Sequence, residues 1–364
     1  MRVALRSEGR LKKALAFGPR DVRLVDLAPR TPGPGEVRAR MLMTTLTTAN
    51  VRLYTGPLMA DVQYPVTLSY TGVAEVAEVG RGVTRVRPGD LVYPNFYRAC
   101  LRCRFCRADR MVACEQVPLG AHNMMIGEAY ESALQSEIVL GEERMNLVPA
   151  GTPLEAAAMT GFFSVAMQAI VAVEPDDRDP LFVNGAGPIG WCATQLAKLH
   201  GSRVVIAEVL PARMERARQF GADVVIDARQ PDARQQVVEA CGGAPLKIVE
   251  ATGTAEGSAL AFDVAGRGAR IAAVGVSQHP ITQTFIVLKG LRIDGIGGAI
   301  RVPEVIRLIA EGKIDISASI THRFPLARLV DALELKRTSP EAELVAVYID
   351  EARLPGARPD ASGG

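Results

Sequence analysis

The chain has 364 residues, 48% of them hydrophobic and 23% charged, so it can bury sizeable cores and does not have the composition of a disordered chain; its length predicts about two domains. Forty-two Lys and Arg face 40 Asp and Glu, a net charge of +2, which gives no electrostatic reason to expect nucleic acid or an anionic membrane as a partner. No apolar stretch reaches the ~18–20 residues of a membrane span, and the first 18 residues lack an apolar run of signal-peptide length; the expectation is a soluble, cytoplasmic enzyme.

The first 160 residues are rich in Val, Pro and Gly. Strand-like runs at 21–27, 36–44, 72–79, 90–93 and 136–140 are separated by turn signals such as Thr31-Pro-Gly-Pro-Gly35 and Arg87-Pro-Gly-Asp90, a mostly β pattern. Within it, Cys100, Cys103, Cys106 and Cys114 read C-x2-C-x2-C-x7-C. Four clustered thiols fit one closed, tetrahedral zinc site, and a site with no open position is structural. Four unrelated thiols or two disulfides are the alternatives.

From about Ser164 the texture changes. Strand candidates at 181–183, 204–207, 224–226, 248–250, 270–274 and 291–293 alternate with helix-length segments at 191–199, 212–220, 232–240 and 257–265. Alternation of this kind predicts an α/β fold with a doubly wound parallel sheet. A helix over 302–311, the segment 320–326, a helix over 327–336 and a strand over 344–349 follow. The expected domains are 1–163, with the cysteine lobe at 100–114, then 164–298, with 299–350 returning to the first domain and 351–364 a disordered tail.

The strand at 181–183 runs into Gly185-Ala-Gly187-Pro188-Ile189-Gly190 and then a helix. This is the dinucleotide fingerprint in its proper context. Gly185 allows the tight turn, Gly187 the close approach of a pyrophosphate, and Gly190 the packing of helix on strand. Pro188 suits the first helical turn, and the helix N-terminus offers free N–H groups to the diphosphate. The next strand ends at Glu208, about 20 residues on, where a carboxylate binds the adenosine ribose diol and repels a 2′-phosphate. The cofactor expected is NAD rather than NADP. A cap on the following turn is the plainer reading of Glu208.

Together the lobe and the fingerprint resemble the medium-chain dehydrogenase/reductase superfamily, in its zinc alcohol dehydrogenase branch. The resemblance covers roughly residues 22–349 and includes Arg87–Asp90, Asn184–Gly190, Gly221–Asp223, Gly268–Val276 and Ser319–Pro325. It implies a GroES-like catalytic domain beside a Rossmann domain. It also implies that Arg213 reaches the adenosine ribose and that Val274 and Val276 line the nicotinamide side. A homodimer formed through the last Rossmann strands, around 285–296, is implied as well, with a tetramer as the larger assembly open to such chains.

The family's catalytic zinc ligands align with Thr47, Tyr70 and Gly161, the accompanying Glu with Thr71, its proton-relay His with Arg52, and the hydroxyl beside the zinc with Ala49. Outside the lobe, residues 1–160 contain no Cys and one His, His122, so the chemistry expected uses no catalytic zinc. The candidates that remain are Tyr70 as donor or base, Arg52 as the cation beside it, Thr47 and Asn50 as hydrogen-bonding groups for the substrate oxygen, and His122 as proton carrier. The leading expectation is NAD-linked oxidation of a secondary alcohol, or ketone reduction, on a specialised metabolite or polyol. Zinc-independent conjugate reduction of an enone and a non-catalytic NAD-binding protein are the alternatives. The segments 59–64 and 123–130, with Tyr54, Phe162 and Phe163, are expected to give the small-molecule pocket apolar walls.

Overall fold

The computed structural model describes residues 11–56, 63–97, 99–116 and 131–355. Two compact units emerge. One comprises Met1–Cys100, Glu115–Ala158 and Thr321–Gly364; the other comprises Leu101–Cys114 and Met159–Ile320.

In the second unit, six short strands form one parallel sheet in the order Val224–Asp227, Val204–Glu208, Leu181–Asn184, Lys247–Glu250, Arg270–Ala273, Arg292–Gly295. The inner strands are β-branched and near-continuously apolar, as suits strands covered on both faces; Leu181–Asn184 and Val204–Glu208 are buried throughout. Helices Pro188–Leu199, Pro211–Gln219, Ala233–Ala240 and Ala255–Val264 make the crossovers. One face of the sheet closes over Phe182, Val205, Ile226, Val237, Ile248, Phe262 and Ile271. The strand order reverses between Leu181–Asn184 and Lys247–Glu250, so the C-terminal ends of these two strands mark the crevice where such sheets take ligands.

The helix Thr160–Val173 has no counterpart in the sequence expectation. Ten of its 14 residues are buried, so it is apolar nearly all round and shows no polar stripe to announce a 3.6-residue period. The helix Val302–Ala310 packs against it and buries Val302, Val305, Ile306 and Ile309. This packing keeps 299–320 with the parallel-sheet unit, although the sequence placed it with the first domain.

The first unit is built on an antiparallel sheet. Its order is Ile320–Pro325, Leu344–Tyr348, Glu36–Leu46, Val73–Val79, Leu91–Pro94, Met145–Leu147, and Glu137–Gly141 also pairs with Glu36–Leu46. A separate hairpin joins Lys12–Gly18 to Asp21–Asp26. The eleven-residue strand Glu36–Leu46 serves three partners, changing register at Arg38/Ala39 and Met41/Met43. Two cores form, one around Leu46, Leu53, Tyr54, Leu68 and Val345, the other around Met41, Val76, Val92, Phe96 and Ile138. The expected tail begins as ordered chain. Glu351–Arg353 is a helical turn capped by the Asp350 carboxylate, and Arg353 pairs with Glu75 at 3.2 Å. The remainder of the tail lies outside the described residues.

Candidate functional site

The glycine loop is built by close approach. Gly185 sits at φ +101°, with Thr252 where a side chain would project. A Cβ on Gly190 would stand 2.0 Å from the Gly185 carbonyl oxygen, so only glycine lets the helix meet the turn. Gly187 has open space in front of it, bounded by Arg213 Nη1 at 3.9 Å from its notional Cβ. The helix Pro188–Leu199 starts at Gly187 with no side-chain cap and with Pro188 in its first turn. Its N–H groups are therefore left for an anion.

Glu208 is 6% exposed at the end of its strand. Its Oε2 accepts the Ala186 N–H at 2.9 Å, and its Oε1 accepts the N–H groups of Val209 at 2.7 Å and Leu210 at 3.1 Å. The carboxylate thus caps the turn and also ties the turn to the glycine loop. Each oxygen retains acceptor capacity for a diol. Arg213 Nε is buried without a hydrogen-bond partner among the described residues. An orphaned guanidinium nitrogen, an uncapped helix start and the open face of Gly187 fit a dinucleotide phosphate and ribose. Val274 is half-buried and Val276 is 62% exposed, just beyond the strand Arg270–Ala273.

The four cysteine sulfurs lie within 4.8 Å of one another. A tetrahedral zinc–thiolate site spaces sulfurs roughly 3.8 Å apart, so the donor set fits one zinc. Cys103 caps the short helix Arg104–Arg107, its sulfur accepting the Cys106 N–H at 3.5 Å. Leu101 and Asp109 take left-handed backbone conformations that fold the lobe back on itself. Gln168, on the buried helix Thr160–Val173, donates to the Asp109 carbonyl at 3.1 Å and accepts the Gly297 N–H at 2.9 Å. The Asp109 carboxylate pairs with Arg301. Cys192 is buried and its thiol is pushed well above the usual range; burial pushes Cys241 up to about 11. Both behave as core thiols rather than nucleophiles.

Two of the three residues that align with the family's catalytic metal ligands, Thr47 and Tyr70, sit in a hydroxyl cluster of the first unit; the third, Gly161, lies on the helix Thr160–Val173 and offers no side-chain donor. Thr47 is the N-cap of the helix Thr48–Thr55 and its hydroxyl accepts the Asn50 N–H. The Asn50 carbonyl oxygen accepts the Thr47 N–H, and its amide donates to the Leu68 carbonyl. Asn50 is 1% exposed. Its side chain closes a capping box and pins the helix to the next segment, so the sequence expectation of a substrate contact is replaced by a structural role. Arg52 is half-buried on the same helix.

Tyr70 is hydrogen-bonded to Thr47, and burial raises its phenol above the usual range, the Thr47 contact offsetting this only in part. Thr71 shares a hydrogen bond with the buried Tyr93 hydroxyl at 3.3 Å. Thr44 Oγ1 lies 2.9 Å from Ser69 Oγ. The ring of Tyr97 meets that of Tyr70 edge-on, with centroids 5.6 Å apart and an interplanar angle of 63°. Burial and the neighbouring Tyr70 phenol push Tyr93 up to about 12 and Tyr97 well above the usual range. Neutral hydroxyls are not the thiolate, imidazole and carboxylate donors that hold catalytic zinc, so these residues do not fit that metal. Among the described residues, the lobe cysteines are the one group of three or more His, Cys, Asp or Glu placed to hold an ion.

Tyr93 and Tyr97 escaped the sequence reading. The signal for Tyr93 was indirect, since the loss of metal ligands invites a search for hydroxyls on the strand Leu91–Pro94; Tyr97 lies beyond that strand and had no such signal. Other expectations are corrected. Tyr54 is 2% exposed and donates to Glu334 at 2.7 Å; Phe162 and Phe163 are core residues of the helix Thr160–Val173. None of the three is free to wall a pocket. His122 and the segments 57–62 and 117–130 lie outside the described residues.

Residues 33–150 match the alcohol dehydrogenase GroES-like domain family, and residues 188–311 match the zinc-binding dehydrogenase family. A sorbitol dehydrogenase of Halalkalibacterium halodurans is 26% identical over 88% of this chain and 94% of its own. An L-threonine 3-dehydrogenase of Sinorhizobium fredii is 27% identical over 87% and 92%. Among solved structures, the alcohol dehydrogenase of Thermus sp. ATN1 superposes with a TM-score of 0.80 at 25% identity, covering 93% of this chain and 99% of that one. A protein of Escherichia coli CFT073 described as a short chain alcohol dehydrogenase, complexed with NADH, gives 0.82 at 24% identity, covering 93% and 100%. No helix among the described residues is long and apolar enough to cross a membrane. With both of its domain families matched and its parallel sheet, glycine loop and cysteine lobe in place, the chain belongs to the medium-chain dehydrogenase/reductase superfamily, in the zinc-binding alcohol dehydrogenase branch, and is an oxidoreductase.

Proposed function

We propose that the protein is an NAD(H)-dependent oxidoreductase that interconverts a secondary alcohol, of polyol or specialised-metabolite type, and its ketone without a catalytic zinc, while keeping one structural zinc in the cysteine lobe. The observation that carries this reading is the Tyr70–Thr47 hydroxyl pair at the positions aligned with metal ligands. The relatives named sorbitol and L-threonine 3-dehydrogenase support the substrate class, and Glu208 at the strand end supports NAD over NADP.

Bound nicotinamide supplies hydride chemistry at carbon; this chain manages the oxygen and its proton. Burial holds Tyr70 in its neutral form, so the phenol donates to a carbonyl oxygen and gives up its proton as the alkoxide forms. Thr47, fixed as a helix cap, orients the phenol. Glu208 and Arg213 would bind the adenosine ribose, and the loop Gly185, Gly187, Pro188, Ile189 and Gly190 the diphosphate. Val274 and Val276 would flank the nicotinamide. The same neutral phenol could serve an enone carbonyl, which keeps conjugate reduction as the second reading; the product, ketone-derived alcohol or saturated ketone, separates the two.

Assembly as a homodimer is part of the proposal. The strand Arg292–Gly295 is the edge of the parallel sheet, and the adjoining helix Gln283–Lys289 exposes Val287 at 68% and Leu288 at 75%. An open edge beside bare apolar side chains calls for a partner.

The test is turnover of secondary alcohols and polyols with NAD after chelator treatment, with metal analysis of the same sample. Retained activity at one zinc per chain supports the reading. Activity that disappears with the metal and returns with a second zinc per chain overturns it.

A further inference from the structure

We propose that Tyr97 is a positioning residue for Tyr70: the edge-to-face contact of the two rings fixes the Tyr70 phenol. This inference rests on the zinc-free reading above and assigns a role to a residue outside the family's metal-ligand positions.

Both the ring contact and its anchoring are visible in the first unit. The two rings meet edge to face at 5.6 Å, a favoured aromatic geometry that fixes the relative orientation of the pair. Tyr97 is itself held from behind. Its carbonyl accepts Arg144 Nη1 at 2.6 Å, and its N–H donates to Asn95 Oδ1 at 3.1 Å. Arg144 also reaches the carbonyls of Asn95 and Ala99, so the segment carrying Tyr97 is clamped by one guanidinium. Among the described residues, the Tyr70 side chain is restrained by Thr47 and by the Tyr97 ring. A phenol that must meet a substrate oxygen within hydrogen-bond reach loses rate when its ring is free to swing.

In the reductive direction, the carbonyl carbon gains the hydride, the carbonyl oxygen takes the Tyr70 proton, and the resulting Tyr70 phenolate recovers a proton from water. The oxidative direction is the reverse.

Three variants test this in the full-length protein: Tyr97→Phe, Tyr97→Leu and Tyr70→Phe. Each is assayed for thermal midpoint, for NADH affinity by fluorescence titration, and for kcat and KM across pH with whichever alcohol or ketone is turned over. We expect Tyr97→Leu to lower kcat about tenfold with NADH affinity and KM little changed, and Tyr97→Phe to restore most of that loss because it keeps the ring. If Tyr97→Leu retains wild-type kcat and pH profile while Tyr70→Phe is inactive, the Tyr97 role is wrong and the zinc-free reading stands. If Tyr97→Phe loses as much kcat as Tyr97→Leu, the ring contact is not what matters and the proposal falls. If Tyr70→Phe is fully active, both fall.

Discussion

Glu208 and Ala186 are joined across the mouth of the nucleotide loop, the carboxylate Oε2 accepting the Ala186 N–H at 2.9 Å. One side chain thus holds the loop in shape and presents acceptors to a ribose. Glu208→Ala should weaken NADH binding roughly 10–100-fold and narrow the preference over NADPH, since both the hydrogen bonds and the repulsion of a 2′-phosphate go with the carboxylate. Fluorescence titration with the two cofactors checks this; unchanged selectivity would leave Glu208 with its capping role alone.

At Gly190 the prediction is steric. A methyl group would meet the Gly185 carbonyl oxygen at 2.0 Å, a contact backbone cannot relax cheaply. Gly190→Ala should cost about 3 kcal/mol or more and abolish NADH binding in whatever fraction folds. Gly187→Ala, with open space before it, should fold normally and lose cofactor affinity. A thermal melt beside a binding titration distinguishes the two outcomes.

The lobe should hold one zinc per chain. Cys103→Ser removes a ligand and the cap of the helix Arg104–Arg107, and is expected to abolish stoichiometric zinc and lower the thermal midpoint by roughly 5 °C or more. Elemental analysis and calorimetry read both.

For Tyr70 the sign of the pH dependence follows from its raised phenol. An acid catalyst works in its protonated form, so reductive kcat/KM should stay level through neutral pH and fall only above the ordinary phenol range. Oxidation, which needs the phenolate, should climb about tenfold per pH unit toward that range. Tyr70→Phe should remove the climb and reduce kcat by about 100-fold or more. A reductive limb that falls already near pH 7 would assign the proton to another group.

Leu288→Asp places a charge on the bare helix beside the sheet edge. It should convert a dimer into a monomer in light scattering at micromolar concentration, with little change in the melting of the monomer. A dimer that persists would move the interface elsewhere.

Most strands were legible within a residue or two, because β-branched runs bounded by Gly and Asp are local signals. The strand found at Val204–Glu208, with the glycine spacing before it, also disclosed the nucleotide loop. Failures came where local signals mislead. The helix Gln283–Lys289 was read as part of a final strand because Phe285, Ile286, Val287 and Leu288 form an apolar, partly β-branched run; Thr282 caps it, its hydroxyl accepting the Phe285 N–H, a start signal that outweighs strand propensity. Asn50 looked like a substrate contact because its partners, Thr47 and Leu68, are fixed only once the helix Thr48–Thr55 has folded back. Tyr97 is invisible in sequence for the same reason: nothing between positions 70 and 97 announces that the two rings meet.

The amide of Gln168 links two parts of the chain far apart in sequence, with the Asp109 carbonyl on one side and the Gly297 N–H on the other. Asp109 belongs to the cysteine lobe, and Gly297 lies two residues past the outermost strand of the parallel sheet. One buried amide therefore holds two loops in a single grip, and Gln168→Ala would let go of both at once.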